Sequence, residues 1–232
     1  MLITAGLVVL ADVGLTLAWK EPLSTVYGSI QQGKAEDELA RIESSFLSED
    51  VRRRVADIED VEERVEALAG IFADQLKTGR AIGRIEIPRM DLDAVVVEGT
   101  DTASLQKGPG HYTSSDDAAT REQGDGSALP GQGKTVGIAG HRTTYLAPLR
   151  RLNELKPGDE SRLEMPYATF TYEVQKTEIV DPDAISVVEN VGYERLVLSA
   201  CHPLYSAAQR IIAFAKLSDI SLFAAGGRWN DP

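Results

Sequence analysis

Ile82-Gly83-Arg84-Ile85-Glu86-Ile87-Pro88 alternates apolar and polar residues with period two, and residues 92–97 follow it as a short apolar strand. Residues 136–139, 161–165, 169–180, 196–200 and 211–217 read the same way, with turn chemistry at Pro157-Gly158-Asp159 and Asp181-Pro182-Asp183. Seven or eight short strands without periodic helices between them predict a mainly β domain, a barrel or a sandwich. The polar, glycine-rich stretch 114–133 reads as a long surface loop.

Upstream of the strands the period is different. Val51, Val55, Ile58, Val65, Leu68 and Phe72 recur at three- and four-residue steps within the charge-rich segment 31–76, which predicts an amphipathic helical flank. Ser48-Glu49-Asp50-Val51 supplies a cap for its second half. A flank of this kind packs on the main domain or stands as a stalk, and no chemistry is assigned to it. Residues 2–19 are almost wholly apolar, interrupted by Asp12, and end at the interfacial boundary Trp19-Lys20-Glu21-Pro22. They are expected to form a membrane anchor, although Asp12 is costly at mid-bilayer without a partner. No basic residue precedes the run, so a basic flank is expected upstream of Met1. The expected division is an anchor at 1–19, a helical flank at 20–80, a β domain at 81–220 and a tail at 221–232.

The net charge of -12 over 232 residues opposes nucleic-acid binding, which needs a basic face. Cys201 is the single cysteine, so neither a disulfide framework nor a thiolate-rich metal site is available. It closes the apolar run Leu196-Val197-Leu198-Ser199-Ala200-Cys201-His202-Pro203. A thiol there is either a buried small hydrophobe or a nucleophile awaiting a base. His202 adjoins it in sequence, but successive strand side chains point to opposite faces. His141 and Arg142 end a different apolar run, Val136-Gly137-Ile138-Ala139-Gly140, and Arg210 opens the strand after Cys201. Cys201, His141 and Arg210, each at a strand end, outline a cysteine transferase site. His111, in Gly108-Pro109-Gly110-His111-Tyr112, is read as a turn residue able to line the same mouth.

Ala128-Leu129-Pro130-Gly131-Gln132-Gly133-Lys134-Thr135 matches a permissive phosphate-loop pattern. A phosphate loop follows a strand and opens a helix. Here a polar loop precedes and a strand follows, so nucleotide binding is set aside. His111, His141 and Cys201 lack paired metal-ligand spacing, and no pair of carboxylates stands out.

Together these segments resemble the sortases, cysteine transpeptidases of Gram-positive cell surfaces. The resemblance runs from about residue 82 to 217 and rests on four segments in the family's order. They are Ile85-Glu86-Ile87-Pro88 with Val97-Glu98-Gly99-Thr100, then Gly108–Tyr112, then Gly140-His141-Arg142-Thr143-Thr144-Tyr145, and last Leu198–Pro203 with Arg210 following. It implies an eight-stranded β-barrel in which Cys201, His141 and Arg210 form the catalytic set and Ser199, Ala200, His111 and Arg142 contact substrate. It further implies attack of Cys201 on the threonine carbonyl of a C-terminal sorting signal resembling Leu-Pro-x-Thr-Gly. The thioacyl-enzyme then passes its protein to a cell-wall or pilin amine. No cofactor is implied, and the barrel is expected outside the cell, held by a single N-terminal span.

Cys-His-Pro, the Trp19–Pro22 boundary and the missing second span resemble the actinobacterial class E group, which tends to prefer Leu-Ala-x-Thr-Gly. The chain departs from the family at Ser199-Ala200, where threonines are usual, and near Lys134-Thr135, where an asparagine is usual. The 114–126 loop is longer than typical. Removal of a hydroxyl at Ala200 is expected to alter the surroundings of the thiol. Two rival readings share the barrel: a cysteine hydrolase, and an inactive binding module.

Overall fold

The computed structural model describes residues 22–113 and 127–222. The expected anchor at 1–19, the loop 114–126 and most of the expected tail lie outside the described residues. Among those described, no helix is long and apolar enough to cross a membrane.

Three helices come first: α1 (Pro22–Phe46), α2 (Glu49–Arg54) and α3 (Val61–Ala73). Ser48 caps α2 by accepting from the Val51 amide, and Asp60 caps α3 by accepting from the Glu63 amide. The single stripe expected over 51–72 is thus carried by two helices, both turned inward. Val51, Val65, Leu68 and Phe72 join the barrel's own core. Phe46 meets Phe72 edge-on at 5.2 Å between ring centroids, Phe72 lies 5.8 Å from Tyr167, and Tyr167 lies 5.9 Å from Phe170. Burial of each such ring contributes on the order of 2–3 kcal/mol. The flank therefore shares one apolar core with the barrel.

The strands are β1 (Ala81–Ile87), β2 (Leu92–Glu98), β3 (Gly110–His111), β4 (Thr135–Ala139), β5 (Glu160–Glu164), β6 (Ala168–Val180), β7 (Arg195–His202) and β8 (Gln209–Leu222). They close into a barrel in the order β1-β2-β3-β4-β7-β8-β6-β5. Closure removes free sheet edges, and alternation sorts the side chains. Leu196, Leu198 and Ala200 enter the interior core, whereas Val197 packs outside with Ile212 and Phe214.

Gly108–Tyr112 was expected as a turn; it contains β3, a two-residue strand paired with both β2 and β4. Two residues are too few to show a period. The glycine-rich 128–135 segment cradles an anion of the protein's own. The amides of Gly131 and Gly133 donate to the Glu194 carboxylate at 2.9–3.1 Å, and Tyr172 donates to it at 2.7 Å. β4, a strand, follows directly.

Candidate active site

The chain order places the nucleophile candidate by two pairings of β7. On one side β7 runs parallel to β4, with Ala139 opposite Ser199. The Gly140 amide extends that ladder by donating to the Ser199 carbonyl at 3.0 Å. His141 and Cys201 therefore each stand two residues beyond the same rung of adjacent strands. On the other side β7 runs antiparallel to β8, and Cys201 is the register partner of Arg210. Directly opposed residues of an antiparallel pair present their side chains on one face. The expected trio is thus gathered at one rim of the barrel.

Each member has distinct surroundings. Cys201 is a half-buried free thiol. Arg210 donates to the carbonyls of Ala207 and Gln209 at 3.0 Å and, among the described residues, has no carboxylate partner. It lies near the start of β8, directly opposite Cys201 on β7. The Nε2 atom of His141 is buried and, among the described residues, has no hydrogen-bond partner. Burial pushes the His141 pKa below its ordinary value, favouring neutral imidazole. The Tyr145 ring lies against the imidazole, centroids 5.3 Å apart.

The segment after His141 is tightly wound. Tyr145, Leu146 and Ala147 have φ of 48°, 67° and 49°, the left-handed region, at a cost of about 1–2 kcal/mol per residue. The Ala147 amide closes this turn on the Thr144 carbonyl at 2.8 Å, and the Leu149 amide donates to the His141 carbonyl at 3.0 Å.

The four residues expected to contact substrate are placed differently from the trio. His111 is 3% exposed on β3, with Nδ1 3.0 Å from the Glu98 carboxylate and Nε2 3.0 Å from the Ala128 carbonyl. It ties β2, β3 and the 127–128 segment together inside the wall instead of lining a mouth. Arg142 is 4% exposed and makes five hydrogen bonds to four acceptors in the rim. Ala200 is 3% exposed and faces the interior core, away from the thiol. Ser199 shares the outward face with Cys201, and its hydroxyl accepts from the Tyr112 phenol at 3.2 Å. The sequence reading assigned nothing to Tyr145 or to the Tyr112 phenol; both stood inside quoted motifs with no local sign of what they touch.

A buried, mainly apolar strip runs along β7 and β8 away from the thiol. Val197, Ser199 and Cys201 alternate outward along β7, beside Phe214, Ile212 and Arg210 on β8. Val187 and Val188 of the β6–β7 connection pack on the Val197–Phe214 end. Arg195 fastens that connection, donating to the carbonyls of Val187 at 2.9 Å and Glu189 at 2.8 Å. A separate cavity of about 490 Å³ opens between α1, the start of β2 and residues 145–151. Its carboxylates Asp91, Asp93 and Glu36 are paired with Arg151 and Arg84. Among the described residues no three histidine, cysteine or acidic side chains gather as a metal cluster.

A closed barrel presenting one thiol, one imidazole and one guanidinium at a single rim has the parts of a thiol-based acyl-transfer centre. The Sortase domain family matches residues 85–218, and the chain belongs to that family. Sortase D of Bacillus subtilis (strain 168) is 37% identical over 144 residues, covering 60% of this chain and 65% of the relative. Sortase SrtE1 of Streptomyces coelicolor is 28% identical over 151 residues, covering 60% of this chain and 41% of the relative. The match thus spans less than two thirds of the length of either. Among solved structures, sortase E from Streptomyces avermitilis superposes with a TM-score of 0.52 at 29% identity, covering 63% of this chain and 93% of that one. The expected likeness to class E is present, and a sortase D stands beside it at higher identity.

Proposed function

We propose that this chain is a cysteine transpeptidase that cuts a C-terminal sorting signal between threonine and glycine and passes the acyl group to an amine. The observation that carries the reading is the opposition of Cys201 and Arg210 in register beside the end of the His141 strand. A neutral His141 takes the proton of Cys201, and the sulfur attacks the threonine carbonyl carbon. Arg210, free of any carboxylate among the described residues, stabilises the resulting oxyanion. His141, now imidazolium, protonates the departing glycine amine, and a thioester remains on Cys201. An incoming amine then reverses these roles: it attacks the thioester carbon, His141 accepts its proton, and Cys201 leaves. Val197, Ser199 and their β8 neighbours Ile212 and Phe214 are buried behind the half-buried Cys201 and Arg210, which are the accessible end of that face. The burial of Ser199, like that of His111, Arg142 and Ala200, supports a role in holding the rim.

The signal resembles Leu-Pro-x-Thr-Gly or Leu-Ala-x-Thr-Gly, the donors are surface proteins, and the acceptor is a cell-wall or pilin amine. Residues 1–19 serve as the membrane anchor, holding the barrel on the outer side. The test incubates the protein with peptides of both signals, with and without an added amine. Cleavage at the Thr–Gly bond and amine-dependent product are expected, and both vanish in Cys201→Ala. Full activity in Cys201→Ala would overturn the nucleophile. Cleavage that never yields amine product would establish the hydrolase instead.

A further inference from the structure

Among the described residues the buried Nε2 of His141 meets no hydrogen-bond partner. A catalytic imidazole that is not held by hydrogen bonds must be held by packing, because misplacement by about 1 Å costs roughly 100-fold in rate. The packing partner is Tyr145, whose ring lies 5.3 Å from the imidazole at an interplanar angle of 39°. Tyr145 itself sits in the left-handed run that ends at Ala147. Such backbone persists only where the surroundings over-determine it.

Those surroundings include α1. Its middle is fastened to the outer face of β1 and β2. The Gln32 side chain accepts from the Val95 amide at 2.9 Å and donates to the Val95 carbonyl at 3.1 Å. The Glu38 carboxylate accepts from the Ala81 amide at 3.1 Å and pairs with Arg80. Ala35 and Leu39 pack with Ala81 and Val95. One turn before Gln32, the helix reaches the segment after His141. Gly28 is pressed so close that a Cβ there would stand 3.0 Å from Leu146 Cγ and 3.1 Å from the Tyr145 carbonyl carbon. Tyr27 meets the Tyr145 ring edge-on, centroids 6.1 Å apart at 72°. The aromatic contacts thus run in series from α1 to the imidazole.

We propose that Tyr145 is a positioning residue that fixes the His141 imidazole, and that α1 holds Tyr145 in place through Tyr27 and the close approach at Gly28. The inference rests on the reading of His141 as the proton-transfer group. It gives α1 a part in turnover although no residue of α1 is opposed to Cys201.

The experiment uses the full chain and the variants Tyr145→Ala, Tyr145→Phe and Tyr27→Ala, each checked for an unchanged melting profile. Two readouts are taken: kcat and KM on a sorting-signal peptide, and the rate at which diethylpyrocarbonate modifies His141, mapped by peptide mass. Tyr145→Ala is expected to lower kcat at least about tenfold while KM stays within about twofold. Tyr27→Ala, changed at a half-exposed site, lowers kcat about threefold. Both speed His141 modification several-fold and leave His202 unchanged. Tyr145→Phe, which keeps the ring, behaves as the unaltered protein. Unchanged His141 modification in both alanine variants overturns the proposal, as does a loss in Tyr145→Phe equal to that in Tyr145→Ala. Turnover retained in His141→Ala would instead overturn the role of His141; the labelling readout, which needs no turnover, separates the two results.

Discussion

Arg142 Nη1 donates to the main-chain carbonyl of Cys201 at 3.3 Å, so the residue after His141 grips the residue expected to attack. The same guanidinium donates to His202 Nδ1 at 3.2 Å, to Asn153 Oδ1 at 2.7 Å and to the Arg150 carbonyl at 3.1 Å. A planar fork reaches all of these at once, and a lysine ammonium cannot. The rim that carries the thiol is therefore joined through the interior to the segment that carries the imidazole.

Arg142→Lys is expected to cost about 2 kcal/mol, because buried acceptors lose charged donors. That corresponds to a fall of roughly 4–8 °C in Tm for a chain of this size. kcat falls with it and KM moves little. A change confined to KM, with Tm unaltered, would restore Arg142 to the role of a substrate contact.

The protonation of His141 leaves a signature in stability. Its folded pKa is lowered from 6.5 by burial, so the unfolded chain holds the proton more tightly. The contribution is fully present above 6.5 and is lost as pH falls through the lowered folded value. Urea midpoints measured between about pH 5 and pH 8 should therefore decline on the acid side more steeply for the unaltered protein than for His141→Gln. Parallel curves would mean that the imidazole is solvated in the native state.

Ala200 tests whether the departure from the family's threonine matters to the thiol. Because its methyl faces the packed interior, Ala200→Thr adds bulk and a hydroxyl to a filled core, at a cost of about 1–3 kcal/mol. kcat is not expected to rise. A gain in kcat with no loss of Tm would place the new hydroxyl at the reaction centre.

The far end of β7 should answer differently. Gly131 has a φ of +91°, and a Cβ there would lie 2.2 Å from Val65 Cγ1. Gly131→Ala is expected to destabilise by about 2–4 kcal/mol, summing left-handed strain and overpacking. The kcat of the folded fraction should hold, since the Glu194 cradle lies at the start of β7 and Cys201 near its end. A kcat loss at full folding would show that the two ends communicate.

Much of this was legible in the residues, and what was not has physical reasons. Seven strands were legible, some such as 82–88 from period-two alternation and others, 92–97, 136–139 and 196–200, as short apolar runs that the barrel buries on both faces. β3 escaped because two residues carry no period, and with it went the placement of His111 against Glu98. Cys201, His141 and Arg210 were legible as strand-end residues, since strand ends define rims. The inward turn of Arg142 was not legible, because sequence gives its position and not its direction, and an arginine that turns inward looks like any other. The left-handed Tyr145–Ala147 run contains no glycine to announce it. α1 gave little signal because it is fastened largely by Gln32 and Glu38, polar residues indistinguishable in sequence from a solvated face.

The parallel pairing of β4 with β7 has a consequence for how such a centre can vary. The spacing between imidazole and sulfur is counted out in ladder rungs, two beyond the Ala139–Ser199 pair on each strand. A one-rung slip would turn a whole strand inside out, so this gauge admits no intermediate setting. The connecting loops carry no such constraint; they can lengthen or change sequence without resetting it. The barrel thereby separates what must stay constant, a register, from what is free to diversify, the loops around it.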